Sequence, residues 1–294
     1  MYWSLNGPAV GVRLALPELV AAAARHGFGG VDVSIDQAAS LAEELGTARL
    51  RRLFEERGVT PTVWSLPVRW AADDATFAAG LEKLPAYARL SQELGCTRAI
   101  TPMPPFSDAR AFDENFRWHA ERFRRIAEIL ERHRVRLGIE FIGPKTLRDL
   151  HRYPFVHTIG GLKELIRAVG LGGVGILLDC YHWYTSHGTA ADLEGLRGDE
   201  IVHVHVNDAV AGRAVDEQLD LERRLPGATG LIDIATFLQS LDRLGYDGGV
   251  AVEPFDQALN ALGPEEALAA TADSLRRIWQ RADLPAPVGR GEPT

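Results

Sequence analysis

Four side chains able to bind a metal end four successive apolar runs in the second half of the chain. The runs read Leu-Gly-Ile-Glu140-Phe, Ile-Leu-Leu-Asp179-Cys-Tyr-His182, Val-His203-Val-His205-Val-Asn-Asp208 and Val-Ala-Val-Glu253-Pro-Phe. One acidic residue at the end of a strand is ordinary, as the polar start of a loop. Three carboxylates brought together repel one another unless a cation or protons neutralise them. Glu140, Asp179, His205 and Glu253 would supply mostly hard oxygen and one imidazole. That set suits Mn2+, Mg2+ or Co2+, and admits Zn2+. It also leaves coordination positions open for substrate oxygens, as a catalytic metal requires. His203, two residues before His205, points the same way but one layer deeper. It reads as a packed, hydrogen-bonded core histidine rather than a second ligand.

Such residues converge only if the strands carrying them share one axis. Short runs, often rich in Val and Ile, recur at Tyr2–Leu5, Gly30–Ser34, Thr60–Ser65, Thr97–Thr101, Arg136–Phe141, Gly173–Leu178, Ile201–Val206 and Gly249–Glu253. Their Gly and Pro punctuation is that of buried parallel strands. Between them lie helical stretches at Pro17–His26, Thr47–Arg57, Asp74–Leu94 and Phe112–His133. In the last, Phe116, Phe123, Ile126, Ala127 and Leu130 fall on one apolar stripe. Eight β-then-α units in 294 residues predict a single-domain (β/α)8 TIM barrel over residues 1–283. Residues 284–294 read as a Pro/Gly-rich flexible tail. A doubly wound open sheet is the alternative fold, but no G-x-G-x-x-G or Walker lysine loop is present. The long polar segment from Asn207 to Gly230 reads as a loop over one mouth of the barrel.

Composition narrows the function classes. Lys and Arg number 32 against 40 Asp and Glu, a formal charge of −8 that argues against an extended nucleic-acid surface. Cys96 and Cys180 cannot staple a chain of this length, so nothing implies an oxidising compartment. The N-terminus lacks the basic and apolar regions of a secretory signal, and no apolar run is long enough to span a membrane. The expectation is a cytoplasmic protein acting on a small molecule, with neither nucleic acid nor membrane as partner.

The series Glu…Asp-x-x-His…His-x-x-Asp…Glu resembles the sugar phosphate isomerase/epimerase superfamily, the xylose isomerase-like barrels. The nearest motif pattern is the inosose isomerase and ketose 3-epimerase type, through Leu178-Asp-Cys-Tyr-His-Trp183, His205-Val-Asn-Asp208, Leu225-Pro-Gly-Ala-Thr-Gly-Leu-Ile-Asp233 and Val252-Glu-Pro-Phe255. The detailed likeness covers about Val135–Glu253, and the first half matches in architecture alone. The resemblance implies one divalent ion on Glu140, Asp179, His205 and Glu253, and Glu140 and Glu253 as an acid/base pair on opposite faces of the substrate. It implies that His182 binds and polarises a substrate oxygen, and it places Arg213 near the spacing of a substrate-binding arginine. The segment Pro226-Gly-Ala-Thr-Gly230 is one residue longer than the usual Pro-Gly-x-Gly form. Members of this superfamily also pair as homodimers or homotetramers.

Lys145 and Arg148 follow Glu140 and could hold substrate hydroxyls or phosphate, or could be solvated loop charges. Trp64 and Trp183 could wall a sugar ring, and Trp64 serves equally well as core. His151 and His157 read as surface residues and Cys180 as packing, while Asp208 could orient His205 or another loop group. An α-hydroxyketone whose oxygens lie on a divalent cation has an acidified C–H between them, which a positioned carboxylate removes. Return of the proton to the opposite face epimerises; return to the neighbouring carbon interconverts aldose and ketose; loss of a β-hydroxyl dehydrates. The expected activity is isomerisation or epimerisation of a keto-sugar or inosose. The alternatives are a dehydratase or lyase, including a C-glycoside deglycosidase subunit, and a non-catalytic binding subunit. An abasic-site endonuclease is disfavoured, because strands three and four end in Trp64-Ser-Leu-Pro67 and Thr101-Pro-Met-Pro104, without histidine.

Overall fold

The structure is a computed structural model and describes residues 1–287. Eight parallel strands close a barrel in sequence order: β1 (Tyr2–Leu5), β2 (Gly30–Val33), β3 (Thr60–Ser65), β4 (Arg98–Met103), β5 (Arg136–Phe141), β6 (Val174–Asp179), β7 (Ile201–Val206) and β8 (Gly249–Val252). Each lies within two residues of its sequence-predicted bounds. The largest shift is in β4, which pairs with β5 from Arg98↔Arg136 through Met103↔Phe141. β5 therefore holds β4 as a strand through Pro102, beyond the point where the sequence pattern ends it.

Helices cover the barrel from outside, because strands buried on both faces need a second apolar layer. The helix Asp74–Leu94 is capped by Asp73, which accepts from Thr76 N, and ends at Gly95 in the left-handed region (φ 79°). Three features escaped the sequence pattern. A helix, Ile35–Leu45, precedes Thr47–Glu55 after β2, and Phe106–Ser107 pairs antiparallel with Tyr153–Pro154 in a small sheet beside the mouth. A short helix, Cys180–Thr185, starts directly at the end of β6, with Asp179 as its N-cap. Of the predicted tail, Leu284 still bonds back to Trp279 O, and residues 288–294 lie outside the described residues. No helix among the described residues is long and apolar enough to cross a membrane.

The predicted stripe of the helix Phe112–Glu131 buries Phe123, Ile126, Ala127 and Leu130, and also His119 and Arg122. Arg122 donates to Trp70 O and Ala72 O, and so ties this helix to the turn after β3. His119 packs against Trp70, Phe123 and Phe155 while Nδ1 donates to Asn115 O at 2.7 Å. Burial, helped by the nearby Arg110 and Arg122, pushes its pKa down to about 4. A histidine held neutral in this way favours folding above the unfolded pKa of about 6.5 and loses that contribution as pH falls toward the folded value. The expected contribution lost between pH 6.5 and 4 is on the order of 3 kcal/mol. Urea melts across that window should slope more steeply for wild type than for His119→Gln, which keeps the donor to Asn115. Identical slopes would show that His119 is not held neutral.

Candidate metal and acid/base site

The ends of β5 to β8 bring Glu140, Asp179, His205 and Glu253 together, one ligand atom from each lying within 4.8 Å of the others. Asp179 and His205 are register partners on adjacent strands, and Glu253 extends β8 by one residue through its N–H to Val206 O. His205 Nδ1 lies 3.6 Å from Glu140 Oε1 and 3.4 Å from Glu253 Oε2. Glu140 Oε1 and both nitrogens of His205 are buried without a hydrogen-bond partner. Buried polar atoms are seldom left unpaired. Lone pairs facing one small space, on carboxylates and an imidazole, fit a divalent cation.

Arg223, which the sequence reasoning missed, is the counter-charge. Its Nη1 donates to Asp179 Oδ2 at 2.8 Å and to Glu253 Oε2 at 3.1 Å, and its Nη2 to Asp220 Oδ1 at 3.1 Å. The guanidinium is buried between the rings of Tyr181 and Phe255, 4.6 and 4.8 Å from their centroids. Phe255 holds a left-handed backbone (φ 41°), a strained conformation for an aromatic residue that here seats its ring against Arg223. Arg213, the predicted substrate arginine, pairs with Glu222 at 2.7 Å. Arg213 and Arg223 share one polar loop, and it is Arg223 that the fold brings against the carboxylates. The useful signal was the need of three buried carboxylates for a buried cation.

The predicted mouth loop folds around Asp208. Its carboxylate accepts from the N–H groups of Ala209, Thr229, Gly230 and Ile232, and its backbone exchanges two bonds with Arg224. Asp208 thus orients the loop that delivers Asp220 and Arg223. Asn207, also missed, donates to both oxygens of Asp179 and to Glu253 O. Its position two residues after His205 puts it on the same face of the strand, a pattern visible in the sequence.

His182 enters from the helix that Asp179 caps. Its Nδ1 accepts from Gly143 N–H at 3.1 Å. Glycine is required there, because a Cβ would lie 2.4 Å from His182 O and Thr185 Oγ1. Burial and then Arg223 push the His182 pKa down to about 3, so the ring is neutral, and its Nε2 lies 3.3 Å from the donor Arg223 Nη2. The same nitrogen lies 3.8 Å from Glu140 Oε1 and 3.9 Å from Asp220 Oδ1. In the metal-free protein burial, with Glu253 nearby, raises Glu140 to about 7. The same burial acts on Glu253 but is outweighed by His205 and Arg223, which hold its carboxyl well below the usual range.

Other predicted contacts lie elsewhere. Trp64 points outward, fully buried, and donates to Ser91 on the helix Asp74–Leu94. Trp183 packs on Phe237 and donates to Thr189 O. Neither reaches the carboxylates, because each faces the helical layer and not the mouth. Lys145 pairs with Asp149 and Arg148 folds back onto Gly143 O, so both are rim residues occupied by local partners. His203 is buried as predicted but not hydrogen-bonded: both its nitrogens lack partners, with Nε2 3.4 Å from Asp32 Oδ2. Asp32, His203 and His205 form a second converging group deeper in the barrel.

Residues 20–278 match the family model described as the xylose isomerase-like TIM barrel. The chain belongs to that family. A xylose isomerase domain protein from Alicyclobacillus acidocaldarius superposes on this barrel with a TM-score of 0.86 and 30% identity, covering 96% of this chain and 99% of the other. A zinc-bound IolI protein superposes with a TM-score of 0.81 over the same shares of the two chains, at 18% identity, and shows the shared fold. Among curated relatives, an inosose isomerase from Halalkalibacterium halodurans is 32% identical over 152 residues, 51% of this chain and 50% of that protein. The chain thus matches about half the length of this relative.

In this xylose isomerase-like barrel, Arg223→Met should leave Asp179 and Glu253 buried without their cation. Removing one partner of a buried pair costs about 3–5 kcal/mol. The expected result in urea melts of metal-free protein is a loss of that size, partly recovered when Mn2+ is added. A loss below about 1 kcal/mol would show that Arg223 does not neutralise the cluster.

Proposed function

We propose that this protein is a divalent-metal-dependent isomerase or epimerase of a keto-sugar or polyol ketone such as an inosose. The observation that carries the reading is the pair Glu140 and Glu253, brought to 3.6 and 3.4 Å from His205 Nδ1 with Asp179 beside them. The relative named inosose isomerase and the family membership support the same reaction class.

Glu140, Asp179, His205 and Glu253 would hold the ion. When bound, it polarises a ketone and its neighbouring hydroxyl and so acidifies the C–H between them. The chain's own residues do the rest. One glutamate of the pair takes that proton and the other returns one from the opposite face, and either order serves a reversible reaction. His182, neutral and fixed by Gly143 N–H and Arg223, contributes a positioned imidazole beside the substrate oxygen on which negative charge grows. Arg223 holds Glu253 in place and keeps it ionised between turnovers. The roofing loop, fastened by Asp208, keeps water from the reacting carbon.

Saturation with Mn2+ followed by desalting should leave about one ion per chain in wild type, with affinity lowered at least about 10-fold in Glu253→Gln. The loaded protein, screened in D2O against inososes and ketohexoses, should exchange the α-proton of at least one. Glu140→Gln should slow that exchange by about 10²–10⁴-fold. A protein that binds no ion and exchanges no α-proton would contradict the reading. Release of water from the substrate would move it to the dehydratase class.

A further inference from the structure

A cavity of about 620 Å³ opens beside the acid/base pair on the side of the β3 and β4 loops. It adjoins the site through neighbouring residues. Pro102 is the register partner of Glu140 on the adjacent strand, Ile142 follows Glu140 by two residues, and Asp220, the partner of Arg223, lies in the same wall. Beyond these the lining is Val68, Trp70, Pro104, Phe106 and Leu147, with Arg69 as its basic residue.

Of the polar groups there, Arg69 is exposed at the rim and the other two are engaged. Thr101 Oγ1 accepts from Trp70 Nε1 at 2.9 Å, and Asp220 accepts from Arg223. A polyol extending into this cavity would give up hydrogen bonds to water on each hydroxyl and find few in return. A second lobe of about 320 Å³ on the β1–β3 side differs in kind, with Asn6, Asp32, Ser34 and Ser65 along its wall. Asp32 in that wall accepts from Ser4 Oγ through Oδ1 at 2.7 Å, and its Oδ2 faces His203 Nε2 at 3.4 Å. The mouth therefore offers hydroxyl-binding groups on one side of the reacting centre and an apolar pocket on the other.

We infer that the substrate is a hydroxylated ketone bearing an apolar, ring-sized substituent, with the hydroxylated part toward Asp32 and the substituent seated between Trp70, Pro104 and Leu147. The inference rests on the isomerase reading of the adjoining site and adds the substrate class to it. It also explains why Pro102 and Pro104 keep exposed rings next to a buried carboxylate. Apolar surface left open beside a reacting centre is the surface a ligand covers.

The test compares methyl and phenyl 3-keto-C-β-D-glucopyranosides, which share one α-hydroxyketone and carry the apolar group on carbon, so that neither expels it as an oxyanion when the α-proton leaves. With Mn2+-loaded protein, α-proton exchange in D2O should give kcat/KM at least about 10-fold higher for the phenyl compound, chiefly through KM. Leu147→Asp, which puts a charge in the pocket, should bring that ratio close to one. A ratio near one in wild type, or a ratio unchanged by Leu147→Asp, would overturn the inference. Saturation-transfer NMR with the same two compounds reads the pocket independently of turnover. Preferential phenyl binding without exchange would uphold the pocket and remove the isomerase reading, whereas equal binding of the two would overturn the pocket.

Discussion

Three carboxylates buried at one end of a barrel are the constraint on which the rest of the mouth depends. Water is shut out from Asp179, nearly so from Glu140, and reaches Glu253 only in part, so the fold must supply positive charge or leave room for it. Arg223 supplies one charge, bonded to two of the three and to Asp220. Glu140 receives none of these bonds, and its Oε1 faces His205 instead. The cluster is thus compensated on the Asp179 and Glu253 side and open on the Glu140 side. A divalent cation completes it, and exchangeable ligands are what a reacting ketone needs.

Much of the surrounding architecture reads as support for that arginine. A loop carrying a buried guanidinium has to be rigid, and the four N–H groups gathered by Asp208 make it so. The rings of Tyr181 and Phe255 pack against the guanidinium, removing water that would weaken its pairs. The strained φ of Phe255 follows from the turn after Glu253, which must bring the ring back over the site. Asn207 ties Asp179 to the backbone at Glu253, so the ends of β6, β7 and β8 cannot separate without breaking a buried bond.

The barrel and the convergence of its acidic strand ends were legible in the sequence, because both follow from periodicity. Buried parallel strands show as short apolar runs, and a strand end marks the mouth. What was not legible depends on contacts far apart in sequence. Arg213 and Arg223 occupy the same polar loop, and nothing local says which turns inward; that follows from Asp208 holding residues 229–232. Trp64 sits at the end of β3, yet its ring goes to Ser91 because the helix Asp74–Leu94 covers that face. The two-stranded sheet of Phe106–Ser107 and Tyr153–Pro154 joins segments whose two-residue strands give no periodic signal. His203 was read correctly as buried, but the absence of partners for its nitrogens becomes visible only when Asp32 is brought across the barrel.

The most direct test is anomalous diffraction from crystals soaked in Mn2+ and measured at the manganese edge. The account predicts one principal peak among Glu140, Asp179, His205 and Glu253, about 2.0–2.3 Å from a ligand atom of each, with Arg223 still paired to Asp179. A mouth without a peak, or a peak coordinated by none of these four, would contradict it.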